Sequence, residues 1–216
     1  QEKKTQGQHY WFVIPMGFDV TDFSICTDKI CADKRPRVGY LGRICEDKGC
    51  RIVLELAKRM PHTDFIICGQ GNPTPFLDKT VANFFYEPPV SGSKNRLDFY
   101  HSLTAFISPT MYLEPFGAAV VEAQLCGLPV LTPDFGAFLE TVEQDRTGYR
   151  CHTLADYAHG VTQALQGFFD PIYIRERAKE KYDMYKVARD YDMAFRNILN
   201  IHNGANGWYG QDSFLS

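Results

Sequence analysis

The sequence lacks the cysteine patterns that hold metal ions or staple small domains. Its seven cysteines are an odd number, none of them forms Cys-x-x-Cys, and no Cys/His cluster has the spacing of a zinc site. Cys68 and Cys126 lie in apolar stretches. We therefore expect reduced cysteines in a protein core, as in cytosolic proteins, and neither a disulfide framework nor a zinc finger.

Long apolar runs and an excess of one charge are also missing. No segment approaches the roughly 18–20 consecutive apolar residues of a membrane-spanning helix, and no signal peptide is visible. The net charge of −3 gives no reason to expect a nucleic acid or a membrane surface as partner through bulk electrostatics. With 216 residues, of which 44% are hydrophobic and 14% aromatic, the chain can build one well-packed domain.

What the sequence does contain is an alternation of strand-like and helix-like segments. Strands are predicted at 11–14, 37–42, 65–68, 83–86, 105–109, 130–132 and 147–149, and helices at 49–60, 95–102, 117–126, 153–168, 171–182 and 184–201. This alternation favours an α/β fold with a Rossmann-like, doubly wound parallel sheet and right-handed crossovers. Ligands bind at the carboxyl ends of the strands in such sheets.

The most informative segment is 114–122, Glu-Pro-Phe-Gly-Ala-Ala-Val-Val-Glu, which follows the predicted strand 105–109. The helix predicted at 117–126 is apolar nearly all round, so we expect it to be buried. Glu122 is its only charged residue, and a buried carboxylate is costly unless hydrogen bonds satisfy it. Two interpretations stay open here: a ligand hydroxyl supplies those hydrogen bonds, or a buried Arg or a neighbouring backbone group does.

The second carboxylate, Glu114, favours the ligand. The helical rise places it roughly 10–12 Å from Glu122, with a helix N-terminus between the two. A helix N-terminus has free N–H groups and a positive dipole end, which suit a phosphate. A carboxylate, an anion site and a second carboxylate in this order match the hexose hydroxyls, the diphosphate and the ribose hydroxyls of a sugar nucleotide.

The Glu-x7-Glu segment runs into Cys-Gly-Leu-Pro-Val at 126–130. Together they resemble the C-terminal, donor-binding domain of the retaining GT-B glycosyltransferases of family 4, the glycosyl transferases group 1. Glu-Pro-Phe-Gly is a common form of the first half of the family's motif. The resemblance extends over roughly 11–200, with departures that include Met16 in place of the usual Asn and Gly136-Ala137 in place of Gly-Gly.

The resemblance implies roles for individual residues. Arg43 and Lys48 would neutralise the diphosphate, Glu114 would bind the hexose hydroxyls, and Glu122 would bind the ribose hydroxyls. The expected catalytic residues are therefore Arg43, Lys48 and Glu114. The expected donor-binding residues are Gly42, Gly69, Gly71, Tyr86, Val90, Pro115, Phe116, Gly117, Ala118 and Glu122. Taken without the resemblance, Arg43 and Lys48 are typical of solvated loop charges, and Gly-Gln-Gly at 69–71 is typical of a plain turn.

The segment after the strand 83–86 lies against the nucleotide base in the family, largely through backbone groups. Here that segment contains the pair Pro88-Pro89, which departs from the common pattern. The base and the hexose of the donor therefore stay open. The resemblance implies a substrate such as UDP- or GDP-hexose, no cofactor and no metal ion.

The resemblance also implies a partner domain that this chain does not contain. A GT-B enzyme has two such domains with the active site between them, and the N-terminal one binds the acceptor, here an unknown glycan, lipid or protein. We expect a flexible start at 1–10, the sugar-nucleotide-binding domain at 11–203 and a loose tail at 204–216, in a chain that begins like a fragment.

The expected function is that of a cytoplasmic hexosyltransferase whose donor-binding domain is inactive alone. Any contact with the cytosolic membrane surface would run through the absent domain. Three alternatives stay open: a non-catalytic module that binds a sugar nucleotide or a partner, a sugar-nucleotide epimerase of the same architecture, and a generic flavodoxin-like domain without a sugar ligand.

Overall fold

The computed structural model describes residues 13–26 and 35–203, which form two compact units. The larger unit spans Asp19–Glu180, and the described part of the smaller unit consists of 13–18 and 181–203. The expected flexible start at 1–10 and loose tail at 204–216 lie outside the described residues, as does the first half of the strand predicted at 11–14.

The second half of that predicted strand is wrong, because Val13 and Ile14 belong to no strand. Val13 is 88% exposed, so its apolar side chain does not face a core. Pro15 follows directly and has no backbone N–H to offer a strand ladder. In the smaller unit, the Phe18 amide donates instead to the Tyr182 carbonyl at 2.8 Å.

The core of the larger unit is a parallel sheet of six strands in the order β3-β2-β1-β4-β5-β6. The strands are β1 Arg37–Leu41, β2 Asp64–Cys68, β3 Phe84–Glu87, β4 Ala105–Ile107, β5 Val130–Pro133 and β6 Gly148–Cys151. The helices are α1 Cys50–Arg59, α2 Ser93–His101, α3 Ala118–Leu125, α4 Phe138–Thr141, α5 Leu154–Leu165, α6 Pro171–Tyr182 and α7 Met184–Asn203. The predicted Rossmann-like, doubly wound parallel sheet is therefore confirmed.

The strand order reverses between β1 and β4, which pair with each other through Val38 and Ala105. From β1 the chain builds outward through β2 and β3, and then crosses over to build β4, β5 and β6 on the other side. Two loops that leave neighbouring strands in opposite directions open a crevice at such a reversal, and ligands bind there in doubly wound sheets. The loops concerned are 42–49 and 108–117.

Both faces of the sheet are covered, as the apolar strands require. Val38 and Tyr40 of β1 belong to the hydrophobic cluster that contains residues of α1 and α5. The intervening Gly39 points to the opposite face, where an added Cβ would touch Phe99 and Leu103 beside α2. Alternation along the strand thus assigns successive residues to the two layers of helices.

Helix α3 is the most deeply buried helix segment of the site region. Its residues Val120–Leu125 are all buried, which confirms the prediction from its apolar composition. Cys50, Cys68, Cys126 and Cys151 are thiols outside any disulfide, and all four are buried. These four cysteines therefore serve as core residues, as predicted.

Candidate functional site

A cleft of about 340 Å³ lies at the carboxyl ends of the strands, in the larger unit. Its lining includes six of the residues predicted from the sequence: Gly42, Arg43, Gly69, Val90, Ala118 and Glu122. It also includes five residues that the sequence did not indicate: Leu41, Gln70, Pro89, Arg96 and Ala119. The structure thus gathers residues from three loops and two helices into one cavity.

The two glycines after β2 have a structural role in this cleft. Gly69 has φ +148°, and a Cβ there would overlap the carbonyl oxygen of Gly42. Gly71 has φ +141°, and a Cβ there would overlap the carbonyl oxygen of Ile44. The loop after β1 therefore runs directly against the loop after β2, which only glycine permits. Gly69 still lines the cleft, whereas Gly71 does not.

Arg43 is exposed and lines the cleft. Its carbonyl accepts a hydrogen bond from the Tyr40 hydroxyl at 2.8 Å, which fixes the backbone of the loop. Within the described part of the chain, the Arg43 guanidinium has no hydrogen-bond or ion-pair partner. This side chain is therefore a cation that an anionic ligand can pair with, without first breaking a protein contact.

The N-terminus of α3 opens into the same cleft. Gly117 precedes the helix with φ +83°, and among the described residues no N-cap side chain closes the first turn with a hydrogen bond. Ala118 and Ala119 of that turn line the cavity. An uncapped helix N-terminus with a positive dipole end and an unpaired guanidinium in one cavity is an anion-binding arrangement.

Glu122 is 5% exposed and lies between two donors on α2. Arg96 Nη1 lies 2.9 Å from its Oε1, and the Tyr100 hydroxyl donates to its Oε2 at 2.8 Å. Burial raises the pKa of Glu122, and the Tyr100 hydrogen bond and the Arg96 charge offset only part of the increase. One of the two interpretations, pairing with an arginine, is therefore realised, and the carboxylate also lines the cleft.

Lys48 and Glu114 form an ion pair outside the cleft lining. Lys48 Nζ lies 2.6 Å from Glu114 Oε2, and both side chains are 15% exposed. The Tyr112 hydroxyl accepts from the same ammonium and donates to the same carboxylate oxygen at 2.9 Å. Burial lowers the pKa of Lys48, but the hydrogen bonds to Glu114 and Tyr112 outweigh burial and leave this pKa above its ordinary value.

The loops after β1 and β4 are joined, which explains how the two ends of this ion pair meet. The Asp47 carbonyl accepts from the Met111 amide at 2.8 Å and from the Thr110 hydroxyl at 3.1 Å. Gly49 has φ +74° and packs so closely on Pro109 that a Cβ would overlap the Pro109 carbonyl. Close backbone packing at the switch point thus places Lys48 beside Glu114.

The remaining predicted residues do not line the cleft. Tyr86 donates through its hydroxyl to the Gly69 carbonyl at 3.3 Å and so supports the cleft from behind. Pro115 is exposed and Phe116 is half-buried. Gly117 shapes the entry to α3, where a Cβ would press on the Phe138 ring at 2.8 Å.

Arg96, Tyr100 and Tyr112 are the partners that the sequence did not indicate. One signal could have found Arg96: it precedes Tyr100 by four residues on the helix predicted at 95–102, so both side chains share one face. Tyr112 gives no comparable signal, because a tyrosine in a loop has no periodicity.

Within residues 13–26 and 35–203, no three His, Cys, Asp or Glu side chains lie together in a group that could hold a metal ion. The sequence does contain one Asp-x-Asp triplet, Asp190-Tyr191-Asp192, in α7. Asp190 forms an ion pair with Lys186, and Asp192 forms one with Arg196, each one helical turn away. The triplet is therefore part of the ion pairs of the helix surface.

Every helix in the part of the chain that the structure describes is too short or too polar to cross a bilayer.

Curated proteins similar to this chain are glycosyltransferases by name. The phosphatidyl-myo-inositol mannosyltransferase of Mycolicibacterium smegmatis is 25% identical over 209 residues, which cover 90% of this chain and 52% of the relative. The capsular polysaccharide biosynthesis glycosyltransferase CapM of Staphylococcus aureus is 25% identical over 120 residues, or 52% of this chain and 31% of CapM. The chain thus spans between about a third and about half of the length of these relatives.

Solved structures share the fold at low identity. HepE of Anabaena, crystallised with UDP and glucose, superposes with a TM-score of 0.72 and 17% identity over 86% of this chain and 56% of HepE. Sucrose-phosphate synthase of Thermosynechococcus elongatus gives a TM-score of 0.73 and 20% identity over 87% of this chain and 52% of the synthase. The model of the family described as glycosyl transferases group 1 matches residues 28–181, more than half of the sequence, and the chain therefore belongs to that family.

Proposed function

We propose that this chain binds the sugar nucleotide in a retaining glycosyltransferase that moves a hexose from a nucleoside-diphosphate donor to an acceptor hydroxyl. The observation that supports this proposal most directly is the content of the cleft. One cavity contains the uncapped N-terminus of α3, the unpaired Arg43 and the buried carboxylate of Glu122. A phosphate-binding end and a hydroxyl-binding carboxylate side by side suit a nucleoside diphosphate.

The diphosphate would lie between Arg43 and the first turn of α3. Arg43 needs no rearrangement of an existing ion pair, and guanidinium–phosphate hydrogen bonds are among the stronger ones in proteins. The ribose would lie over Glu122, whose oxygens retain lone pairs after binding Arg96 and Tyr100. The base would lie along Pro89 and Val90, which line the cleft beside Arg96.

The hexose would lie near Glu114, which brings Lys48 into the reaction. Without a donor, the Lys48 ammonium and the Glu114 carboxylate neutralise each other. Hexose hydroxyls that donate to Glu114 would replace that contact, and Lys48 would then turn to the diphosphate. Donor binding would thus exchange one ion pair for two sets of ligand contacts.

Bond cleavage in such an enzyme places negative charge on the leaving phosphate. Arg43, Lys48 and the Phe116 and Gly117 amides would stabilise that charge as it develops. In the retaining course, the acceptor attacks on the face that the leaving diphosphate occupies, and a phosphate oxygen accepts the acceptor's proton. No metal ion is needed in this scheme, since the cations come from the protein.

The relatives support a sugar nucleotide as the ligand. The structures of HepE contain UDP and glucose or UDP-glucose, and their sheet superposes on that of this chain. Because the chain spans about half of HepE, we propose that a second domain supplies the acceptor site. The chain alone would then bind the donor and transfer little or no sugar.

Calorimetric titration of the chain with UDP, GDP and ADP in EDTA, each with and without hexose attached, tests the proposal. Glu122→Gln should weaken both forms of the preferred nucleotide, because both contain ribose. Glu114→Gln should weaken the sugar nucleotide without weakening the free diphosphate. Arg43→Ala should weaken both by about tenfold or more, since a charged hydrogen bond contributes about 1.5–3 kcal/mol.

Arg51→Ala is the matched control, because Arg51 pairs with Glu46 on the exposed surface and does not line the cleft. Its affinity should equal that of the wild type. Equal losses in Glu114→Gln and Glu122→Gln for both ligands would contradict the assigned roles. Binding that disappears in EDTA would contradict the metal-independent scheme.

A further inference from the structure

Arg96 and Tyr100 lie one turn apart on α2, and both contact the Glu122 carboxylate. Arg96 contacts Oε1 at 2.9 Å and Tyr100 contacts Oε2 at 2.8 Å, so each carboxylate oxygen has one protein donor. Glu122 lies on α3, which makes this contact a bridge between two helices at the rim of the cleft.

We propose that Arg96 is a positioning residue for Glu122, which with Tyr100 keeps the carboxylate charged so that both of its oxygens accept the adjacent hydroxyls of a ribonucleotide. This inference rests on the proposed function and deepens it at the ribose subsite. Arg96 acts here through Glu122 and is not itself assigned a contact with the ligand.

The hydrogen-bond capacity of the carboxylate fits this role. A charged carboxylate oxygen has two lone pairs, and one on each oxygen is taken by the α2 donors. One lone pair on each oxygen is left for a ligand, which matches the two neighbouring hydroxyls of a ribose. A protonated Glu122 would lose one of these acceptors and present a donor in its place.

The charges that face Glu122 show why a cation is needed. Tyr100 is fully buried, and burial raises the pKa of its hydroxyl, which therefore stays a neutral donor. Cys126, the residue that ends α3, is a buried thiol, and burial raises its pKa to about 12. Arg43 lines the same cleft on the solvent side. Arg96 is thus the only cation in ion-pair contact with Glu122 among the described residues.

Removal of Arg96 should therefore favour the protonated carboxyl group. Burial is the dominant influence on Glu122 and raises its pKa even with Arg96 present. In Arg96→Met that pKa should rise further, whereas Arg96→Lys should restore most of the wild-type value. Lys94→Met is the matched control, because Lys94 lies on the same helix and its exposed side chain pairs with Asp98.

The first measurement needs no ligand. The carboxyl carbon of Glu122 is titrated by ¹³C NMR in the full chain, in wild type, Arg96→Met, Arg96→Lys and Lys94→Met. The expected result is an upward shift of the Glu122 titration in Arg96→Met alone. An identical titration in wild type and Arg96→Met would overturn the inference, whether or not the chain binds a nucleotide.

The second measurement follows the affinity for UDP, GDP and ADP between pH 5.5 and 8. Protonation of the nucleotide itself affects all variants equally, so the readout is the ratio of the dissociation constants of variant and wild type. For Arg96→Met we expect a ratio near one at pH 8. It should rise by about tenfold per pH unit below the pKa of Glu122 in that variant.

The preference for a ribonucleotide over its 2′-deoxy analogue should disappear in Arg96→Met at pH 5.5 and persist in Arg96→Lys. A loss of affinity that is equal at every pH would show a direct ligand contact of Arg96 and refute its action through Glu122. A wild type that binds none of the three diphosphates would contradict the proposed function, and the NMR titration would then still decide the role of Arg96.

Discussion

The ion pair between Lys48 and Glu114 can be tested in two ways. Unfolding experiments measure its contribution to stability, and binding experiments measure its proposed role toward the donor. Both side chains are 15% exposed and share the Tyr112 hydroxyl. Loss of one partner of a fully buried pair costs about 3–5 kcal/mol. Residual solvent contact and the remaining Tyr112 hydrogen bond reduce that cost here to about 2 kcal/mol for Lys48→Met or for Glu114→Gln.

The double variant should cost less than the sum of the two single variants. Once one charge is gone, removal of the other leaves no unpaired ion, so we expect about 2 kcal/mol in total and a coupling energy of about 2 kcal/mol. Each single variant should lower Tm by about 4–8 °C, from about 2–4 °C per kcal/mol for a domain of this size. Urea and thermal unfolding of the four proteins give these values.

The pH dependence of the same variants has a defined sign. The folded-state pKa of Lys48 is raised, so its stabilising contribution is complete below the unfolded-state pKa of about 10.4 and is lost as pH rises through the folded value. The stability difference between wild type and Lys48→Met should therefore be constant from pH 6 to 9 and shrink above pH 10. A difference that already declines near neutral pH would contradict this assignment.

Nucleotide binding by Glu114→Gln gives the functional half of the test. In the free chain Lys48 is held by Glu114, so the substitution should release it and tighten binding of a free nucleoside diphosphate. The same substitution should weaken the sugar nucleotide, which loses its hexose contact. Opposite signs for the two ligands are expected from calorimetry. The reasoning would be refuted by two results together. The stability losses of the two single variants would add up in the double variant to within about 0.5 kcal/mol, and Glu114→Gln would change the affinity for both ligands in the same direction.

Two further predictions concern the scaffold of the site. Gly69→Ala should cost about 3 kcal/mol or more in urea unfolding, because a Cβ there meets the backbone of Gly42, whereas Gly167→Ala, with φ +71° but open space around it, should cost only about 1–2 kcal/mol. Equal losses of stability in the two variants would show that backbone strain explains both, without a contribution from the overlap with Gly42. Asn83→Ala should cost about 2–3 kcal/mol, because its buried amide donates to three carbonyls behind the sheet. The exposed Asn95 donates to a single carbonyl, so Asn95→Ala should stay within about 0.5 kcal/mol of the wild type.

The sheet and its helices could be predicted because each strand is a short apolar run and each helix has its own composition or periodicity. Helix α1 illustrates this, with buried Val53, Leu56 and Ala57 at helical spacing. The strand predicted at 11–14 was wrong in its described half because an apolar run does not reveal whether a neighbouring strand pairs with it. Strand pairing depends on distant residues, and local composition contains no information about them.

The candidate site could be predicted in part, for a related reason. The position of Glu114 after β4 and of Arg43 after β1 follows from strand order, since both loops leave the sheet at the same edge. Two contacts could not be predicted, the ion pair of Glu114 with Lys48 and the ion pair of Arg96 with Glu122. Both depend on side-chain rotamers and loop packing. Likewise, the sequence indicated glycines at 69 and 71 but not that a neighbouring loop packs directly against them.

The charge balance of the ligand-free site connects these observations. Lys48 is neutralised by Glu114 and Arg96 by Glu122, so Arg43 and the N-terminus of α3 remain as the positive groups open to an anion. The two interpretations of Glu122, structural partner or ligand contact, are therefore compatible. A buried carboxylate needs donors when no ligand is bound, and those donors also keep it charged for the ligand. In the proposed function, a diphosphate would first meet Arg43, and only a hexose at Glu114 would release Lys48 to join it. With this order of contacts, Arg43 and Lys48 would bind the diphosphate together only when a complete sugar nucleotide is present.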